Sequence, residues 1–415
     1  MTSRPLALLV NPLLCGHHEA AWRTERAQPE RIHSLDYFQQ LARTAERGRF
    51  DAVFMADFFI FNPAVMYSPR WEVEPVTLLS AVAQATENLG FIATGSAIFS
   101  DPVEVARVFS TFDHATGGRA AWNIVTSGEP AAGANYGLDK PIPHAERYEL
   151  GARNTEQVLA YWDGAPVPDD VAPIARPVQG RPVLVQAGSS ATGRDFAARF
   201  AELVFSAQWN FEAGRDFRND LRRRAVTHGR NPDDVRLILG LSFVIGSTEA
   251  EARSKKKALD DLILPHASHG WLQSFGIDLT AFDFDEPLPR TLGNIDLYEG
   301  IKSRFSVISS LVDSTSPLTI RQLASALAGS RGHHLVIGTP EQIADAAETW
   351  FVGGAADGFM VMPHELPAEF ELFVDEVIPI LRRRGLVDRD YRGHTLRENL
   401  GLPISPPAPS WAFQT

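Results

Sequence analysis

Polar and small residues gather where apolar runs end in this 415-residue chain. Asn11 follows Leu6–Val10, and Gly16-His17-His18-Glu19-Ala20-Ala21-Trp22-Arg23 comes soon after. Asp57 closes Phe50–Ala56, Ser96 closes Phe91–Gly95, and Asn123, Thr126 and Ser127 stand at the end of Arg119–Val125. Gln186-Ala187-Gly188-Ser189-Ser190-Ala191-Thr192-Gly193-Arg194 follows Pro182. In that last run a glycine and two serines precede a helix starting near Thr192. Small residues let backbone N–H groups approach a ligand, and a helix N-terminus favours an anion. Gly188, Ser189, Ser190 and Arg194 therefore suit a phosphate; a capped helix after a turn is the other reading. Asn123 offers a donor and an acceptor to the edge of a ring ligand, or caps its own strand. Asp57 reads equally as a local turn former. Trp122 must point opposite to Asn123, because side chains alternate along a strand, and reads as packing.

The histidines invite a metal reading that their spacing does not support. In His17-His18 and His333-His334 adjacent side chains diverge, so neither pair chelates alone, and His-x-His is absent. His266 and His269 could share a helix face but flank Ala-Ser in an irregular stretch. No metal site is expected. His17 or His18 suits moving a proton, since an unperturbed imidazole titrates near neutrality.

The elements that must position these residues alternate. Strands are expected at Leu6–Val10, Phe50–Ala56, Phe91–Gly95, Arg119–Val125, Pro182–Gln186, Leu203–Ser206, Arg236–Ile245 and Gly358–Met362. Helices are expected between them at Leu35–Arg47, Pro75–Thr86, Pro102–His114, Glu146–Trp162, Gly193–Phe200, Arg215–His228 and Glu249–Leu264, with Pro367–Arg384 last. Near-continuous apolar strands imply a parallel sheet covered on both faces. Eight strand-then-helix units predict a closed (β/α)8 TIM barrel, whose active site lies at the C-terminal ends of its strands. The reading is one barrel domain over 1–385. An insertion at about 265–334, before strand eight, breaks the rhythm and would lie over the barrel mouth as a lid. A proline-rich extended arm over 386–415 would pack on a neighbouring subunit.

Composition bounds the partners. Hydrophobic residues make up 44% and charged residues 22%, as in ordinary globular proteins. The formal net charge of −12 disfavours nucleic acid and anionic membrane surfaces. The one cysteine, Cys15, excludes an internal disulfide and reads as a small buried hydrophobe. No run approaches the roughly 20 apolar residues of a membrane helix, and the N-terminus lacks a secretory pattern, so a cytoplasmic protein is expected.

Together the motifs Gly-His-His-Glu-Ala-Ala-Trp-Arg, Gly-Arg-Phe-Asp-Ala-Val-Phe, Gly-Gly-Arg-Ala-Ala-Trp-Asn-Ile-Val-Thr-Ser, His-Ala-Glu-Arg-Tyr, Gln-Ala-Gly-Ser-Ser and Asp-Gly-Phe-Met-Val-Met-Pro resemble one family. It is the nitrilotriacetate monooxygenase, pristinamycin IIA synthase and dibenzothiophene-sulfone monooxygenase group of the bacterial-luciferase-like flavin monooxygenases. The resemblance spans most of 5–260 and 335–385. It implies reduced flavin mononucleotide (FMNH2) at the barrel mouth, supplied by a separate NAD(P)H:flavin reductase. Dioxygen is the co-substrate, and oxygenation beside a C–N or C–S bond proceeds through a flavin peroxide or hydroperoxide. It further implies Asp57, Ser96 and Asn123 around the isoalloxazine, and His144, Tyr148, Gly188, Ser189 and Ser190 at the ribityl phosphate. Asn11 and Trp22 fall near the substrate, His17 and His18 at the reacting face, and a homodimer or homotetramer is expected. Between Trp162 and Arg181 the chain is shorter than the pattern, which leaves the substrate open. A deazaflavin-dependent dehydrogenase, a metallohydrolase barrel and a non-catalytic flavin-binding barrel are the alternatives.

Overall fold

The computed structural model describes residues 4–57, 59–60, 68–69, 73–168, 174–208, 210–265, 268, 272, 282–288 and 318–404. Its strands are β1 (Ala7–Val10), β2 (Ala52–Met55), β3 (Gly90–Ser96), β4 (Ala120–Val125), β5 (Val183–Gln186), β6 (Leu203–Ser206), β7 (Arg236–Ile245), β8 (His334–Gly338) and β9 (Gly358–Pro363). All the pairings between these strands are parallel. β1 through β7 pair in sequence, β7 pairs β9, and β9 returns to β1, which closes an eight-stranded (β/α)8 barrel.

The eight barrel strands are those expected; β8 is not. It is explained by β7, whose ten residues exceed what the barrel uses. β6 pairs only Arg236–Leu239, and β8 takes up the overhang at Leu241–Ile245 on the same edge.

Alternation sorts the strands into two cores. Leu8, Val53, Phe91, Trp122, Leu184, Leu237 and Val361 point outward into the helical layer. Ala7, Leu9, Ala52, Phe54, Ile92, Ala121, Val185 and Met360 fill the interior. Trp122 accordingly lies in the outer layer, against Phe109 and Trp162, with Nε1 donating to the Gly95 carbonyl at 3.0 Å. Ala121 points inward, so Asn123, two residues on, does too.

The helical layer contains α1 (Leu35–Arg47), α2 (Pro75–Val82), α3 (Pro102–Ala115), α4 (Pro130–Asn135), α5 (His144–Trp162), α6 (Ala191–Phe200), α7 (Phe211–Thr227), α8 (Glu249–Asp261), α9 (Ile320–Leu327) and α10 (Pro340–Val352). After β9 the chain runs Ala368–Leu372, a π turn at Phe373–Val377, then Ile378–Arg383. Most of the expected lid, including His266 and His269, lies outside the described residues.

Residues 386–404 differ from the extended arm expected. They fold back and contain a helix, Leu396–Leu400, with Thr395 and Glu398 forming a capping box. Leu396, Leu400 and Leu402 pack on the interior residues Ala7, Ala52, Ile92 and Val183, at the floor of the barrel. Apolar burial drives this return, and three of the tail's four prolines follow it. Residues 405–415 lie outside the described part.

Candidate active site

The mouth is built in two halves. β1 and β5 are four steps apart in either direction round the ring, and their loops carry different chemistry.

On the β3–β5 side, Asn123 is 3% exposed. Its Nδ2 donates to Thr94 Oγ1 at 2.9 Å, and Thr94 Oγ1 donates to the Met55 carbonyl at 2.8 Å. These bonds fix the carboxamide; its Oδ1 is buried without a hydrogen-bond partner among the described residues. Ser96 Oγ takes the N–H groups of Ile98 and Phe99, at 3.3 Å each, and the Ser127 hydroxyl at 2.9 Å. Asp57 accepts from the Phe59 N–H at 3.0 Å, the local turn role.

The turn from β5 into α6 meets the first turn of α5. The His144 and Tyr148 rings lie 5.0 Å apart, and Tyr148 rests on Phe196 of α6. A Cβ on Gly193 would fall 2.9 Å from both the Gly188 Cα and the Tyr148 Oη. Close approach therefore requires glycine there. Ser190 caps α6, its Oγ accepting the Gly193 N–H at 3.0 Å, and leaves the first-turn N–H groups of Ala191 and Thr192 without intrahelical partners. Arg194, expected to add charge here, pairs instead with Asp220 of α7 at 2.9 Å and lies over Phe217. Two neighbours on α7 outcompete the turn for it.

On the β1 side, burial corrects the expectation that His17 or His18 titrates near neutrality. His17 is 1% exposed; burial, with Arg331 nearby, lowers its pKa to about 3. Its Nε2 lies 2.9 Å from the Asn11 carbonyl, which can only accept. Nε2 therefore carries the proton and Nδ1 is a bare acceptor, buried and unpartnered among the described residues. His18 is likewise held down by burial. Its Nδ1 accepts from the Ala20 N–H at 3.1 Å and its Nε2 donates to Asp260 at 3.0 Å, so both nitrogens are committed. Asp260 also takes Lys256 and the Ser325 hydroxyl, which ties α8, α9 and the β1 loop together. Cys15 is buried, and its thiol is pushed up to about 11. Trp22 lines a pocket with Arg331, a residue the sequence did not single out. His364, at the end of β9, was also missed; it is fully buried and its Nε2 donates to Ser242 at 2.9 Å. Among the described residues, no three His, Cys, Asp or Glu side chains are placed to hold a metal ion.

Backbone strain marks the same rim. Leu14, Phe59 and Ser127 have φ of 48°, 57° and 42° in the loops leaving β1, β2 and β4. Such outliers cluster where a ligand is held.

The model of the family described as "Luciferase-like monooxygenase" matches residues 13–357. The chain belongs to the luciferase-like monooxygenase family. Over 97% of its length it is 37% identical to N-acetyl-S-(2-succino)cysteine monooxygenase of Bacillus subtilis, of which 98% is covered. Over 94% of both chains it is 36% identical to nitrilotriacetate monooxygenase component A of Aminobacter aminovorans, as the motifs led one to expect. A solved riboflavin lyase, described with modified FMN and riboflavin, superposes with a TM-score of 0.79 and is 28% identical, each chain being 96% covered. The protein is thus a flavin-dependent monooxygenase. Among the described residues no helix is long and apolar enough to cross a membrane.

Proposed function

We propose that this chain is the oxygenase component of a two-component system. It takes FMNH2 from a separate NAD(P)H:flavin reductase in the cytoplasm and uses dioxygen to oxygenate a small organic substrate at or beside a C–N or C–S bond. The observation that carries the reading is Asn123 Oδ1. A carboxamide locked by Thr94, with its oxygen buried and unpartnered, is costly unless a ligand N–H completes it. A flavin ring edge supplies such a donor.

The residues present fit the cofactor. Ala191 and Thr192 N–H groups, the Ser189 and Ser190 hydroxyls, His144 and Tyr148 would hold the phosphate, and bare Gly188 lets it approach. Asn123, Ser96 and Asp57 would border the ring. When bound, reduced flavin supplies the two electrons that activate dioxygen. The chain supplies position and dryness. His17 Nδ1 holds a ligand proton as a neutral acceptor, Asn11 fixes that tautomer, and Trp22 bounds the substrate. His18 sets the β1 loop through Asp260. The family likeness supports a homo-oligomer.

The test is anaerobic titration with FMNH2, then oxygen uptake with a reductase present. Asn123→Ala is expected to weaken FMNH2 binding about tenfold, the worth of one ligand hydrogen bond, without altering the circular dichroism spectrum. Unchanged affinity would remove the site, and reduction of substrate without oxygen consumption would point to a dehydrogenase.

A further inference from the structure

His364 sits where four segments of the mouth meet. Met360 and Met362 fill the barrel interior, so His364, next in that alternation, faces inward just beyond β9. Ser242 likewise continues the interior face that Ile238 begins on β7. The Ser242 hydroxyl donates to the Gly329 carbonyl at 3.0 Å, and its oxygen accepts from His364 Nε2 at 2.9 Å. A serine has one proton and a carbonyl can only accept, so both contacts are satisfied in this direction alone. His364 Nδ1 is then a bare acceptor, buried and without a partner among the described residues. An apolar side chain would leave no such orphan; the Nε2 donor is the property it would lack.

Two glycines let the chain close on this residue. Gly329, in the turn after α9, has φ of 79°, and a Cβ there would fall 2.2 Å from His364 Nε2. Gly16 has φ of 133°, and a Cβ there would fall 2.1 Å from the His364 carbonyl oxygen. A side chain at either position would push the segments apart. The His17 N–H donates to the Pro363 carbonyl at 2.8 Å, and the His18 N–H to the His364 carbonyl at 3.2 Å. The His18 and His364 rings lie 5.5 Å apart. The β1 loop thus rests on the backbone of residues 363–364, and the turn after α9 rests on the ring. That turn continues to His333, whose ring stacks on the inward-facing Phe205 at 5.1 Å. Both segments present groups to the mouth, and His364 is the part they share.

We propose that His364 is a positioning residue. Through Ser242 and Gly329 on one side and the β1 loop on the other, it fixes His17 relative to the turn after α9. It thereby sets where His17 Nδ1 meets a ligand proton. This deepens the oxygenase reading and rests on it for what the ligand is, but the placement of His17 belongs to the flavin-free chain.

The experiment compares wild type, His364→Phe, His364→Gln and Ser242→Ala, each as the full chain labelled with [15N]histidine. The His17 signals are assigned by their loss in His17→Gln. In wild type, NMR is expected to show His17 and His364 as Nε2–H tautomers. His364→Phe keeps a flat ring without the donor, and its His17 signals are expected to shift or to report mixed tautomers. His364→Gln returns an N–H to Ser242 and is expected to restore the wild-type signals. Ser242→Ala breaks the same chain at its other end with little change of volume, and decides the matter if His364→Phe does not fold. At saturating FMNH2 the rate of oxygen uptake is expected to fall about tenfold in His364→Phe and in Ser242→Ala, as misplacement of a group at the reacting centre does. FMNH2 affinity is expected to stay unchanged, because Asn123 and the β5–α6 turn lie on the other half of the mouth. The double variant is expected to be no slower than either single one, because both cut one chain. A lower melting temperature with wild-type His17 signals and uptake assigns His364 to stability alone and overturns the proposal, as do additive losses in the double variant. No FMNH2 binding or uptake by wild type removes the oxygenase reading, and the NMR comparison still decides the positioning.

Discussion

Asn123 and His17 show how much one side chain's surroundings decide about its chemistry. Both are buried polar groups, one in β4 and one in the loop after β1, and both have one atom committed and one left over. For Asn123 the sequence placed the residue on the inner face by simple alternation, with Trp122 outward. For His17 the residue type suggested a proton shuttle, but titration depends on burial, which no local pattern reports. Because burial holds its pKa near 3, His17 stays neutral throughout ordinary assay conditions. Profiles of kcat between pH 5.5 and 8, at saturating FMNH2, are therefore expected to show the same ionisations in wild type and His17→Gln, however much the absolute rate falls. A limb near pH 6.5 that disappears in the variant would return the shuttle role to His17. Arg331 was illegible for another reason: it reaches Glu19 across 312 residues, from the turn between α9 and β8.

At the scale of elements, the β5–α6 turn was readable because its parts are local: two serines, a cap and glycines. What could not be read is that α5 would dock on it, bringing Tyr148, with His144 against its ring, to Gly193; only the family resemblance pointed to these two residues. The packing makes Gly193 the sensitive point, since its neighbours include backbone that cannot step aside. Gly193→Ala is expected to weaken FMNH2 binding about tenfold or more by displacing the helix terminus from the phosphate. Stability is expected to fall as well, because alanine's helix preference of about 1 kcal/mol offsets only part of the clash. Calorimetry and thermal melting check the two halves of that statement. The barrel strands were legible as apolar runs, whereas β8 was hidden. Its residues are mostly half-buried, it follows the insertion, and its partner is the overhang of β7. The surplus length of β7 was the signal available. The π turn at Phe373–Val377 has no sequence signature that would have revealed it.

For the molecule as a whole, the buried histidines make the fold sensitive to acid, against the opposite pull of buried Glu369, whose carboxyl is pushed up to about 8 by burial. His17 and His334 have folded pKa values of about 3 and 4, and burial holds His364 well below its ordinary value. Below about pH 6.5 the unfolded chain takes protons at these rings that the folded chain refuses. Each ring that stays neutral therefore makes unfolding easier as pH falls from 6.5, by about 1.4 kcal/mol per unit. His334 lies against Trp350, 4.6 Å between ring centroids. His334→Phe keeps a ring there and removes the ionisation. Between pH 6.5 and 4 the variant's stability is expected to depend on pH less steeply by about one proton, measured from denaturant midpoints at several pH values. Equal slopes would show that His334 is protonated in the native state.

The return of residues 386–404 to the barrel floor has a practical consequence. Anything joined after Ile404 sets out from the end of the molecule remote from the loops that would hold the flavin. A resin, a purification handle or a fused electron donor attached there begins its path at the base, leaving the catalytic entrance uncovered. A short linker would keep such a donor from delivering its product directly, and a long one, able to travel the height of the barrel, is what a self-sufficient fusion would need.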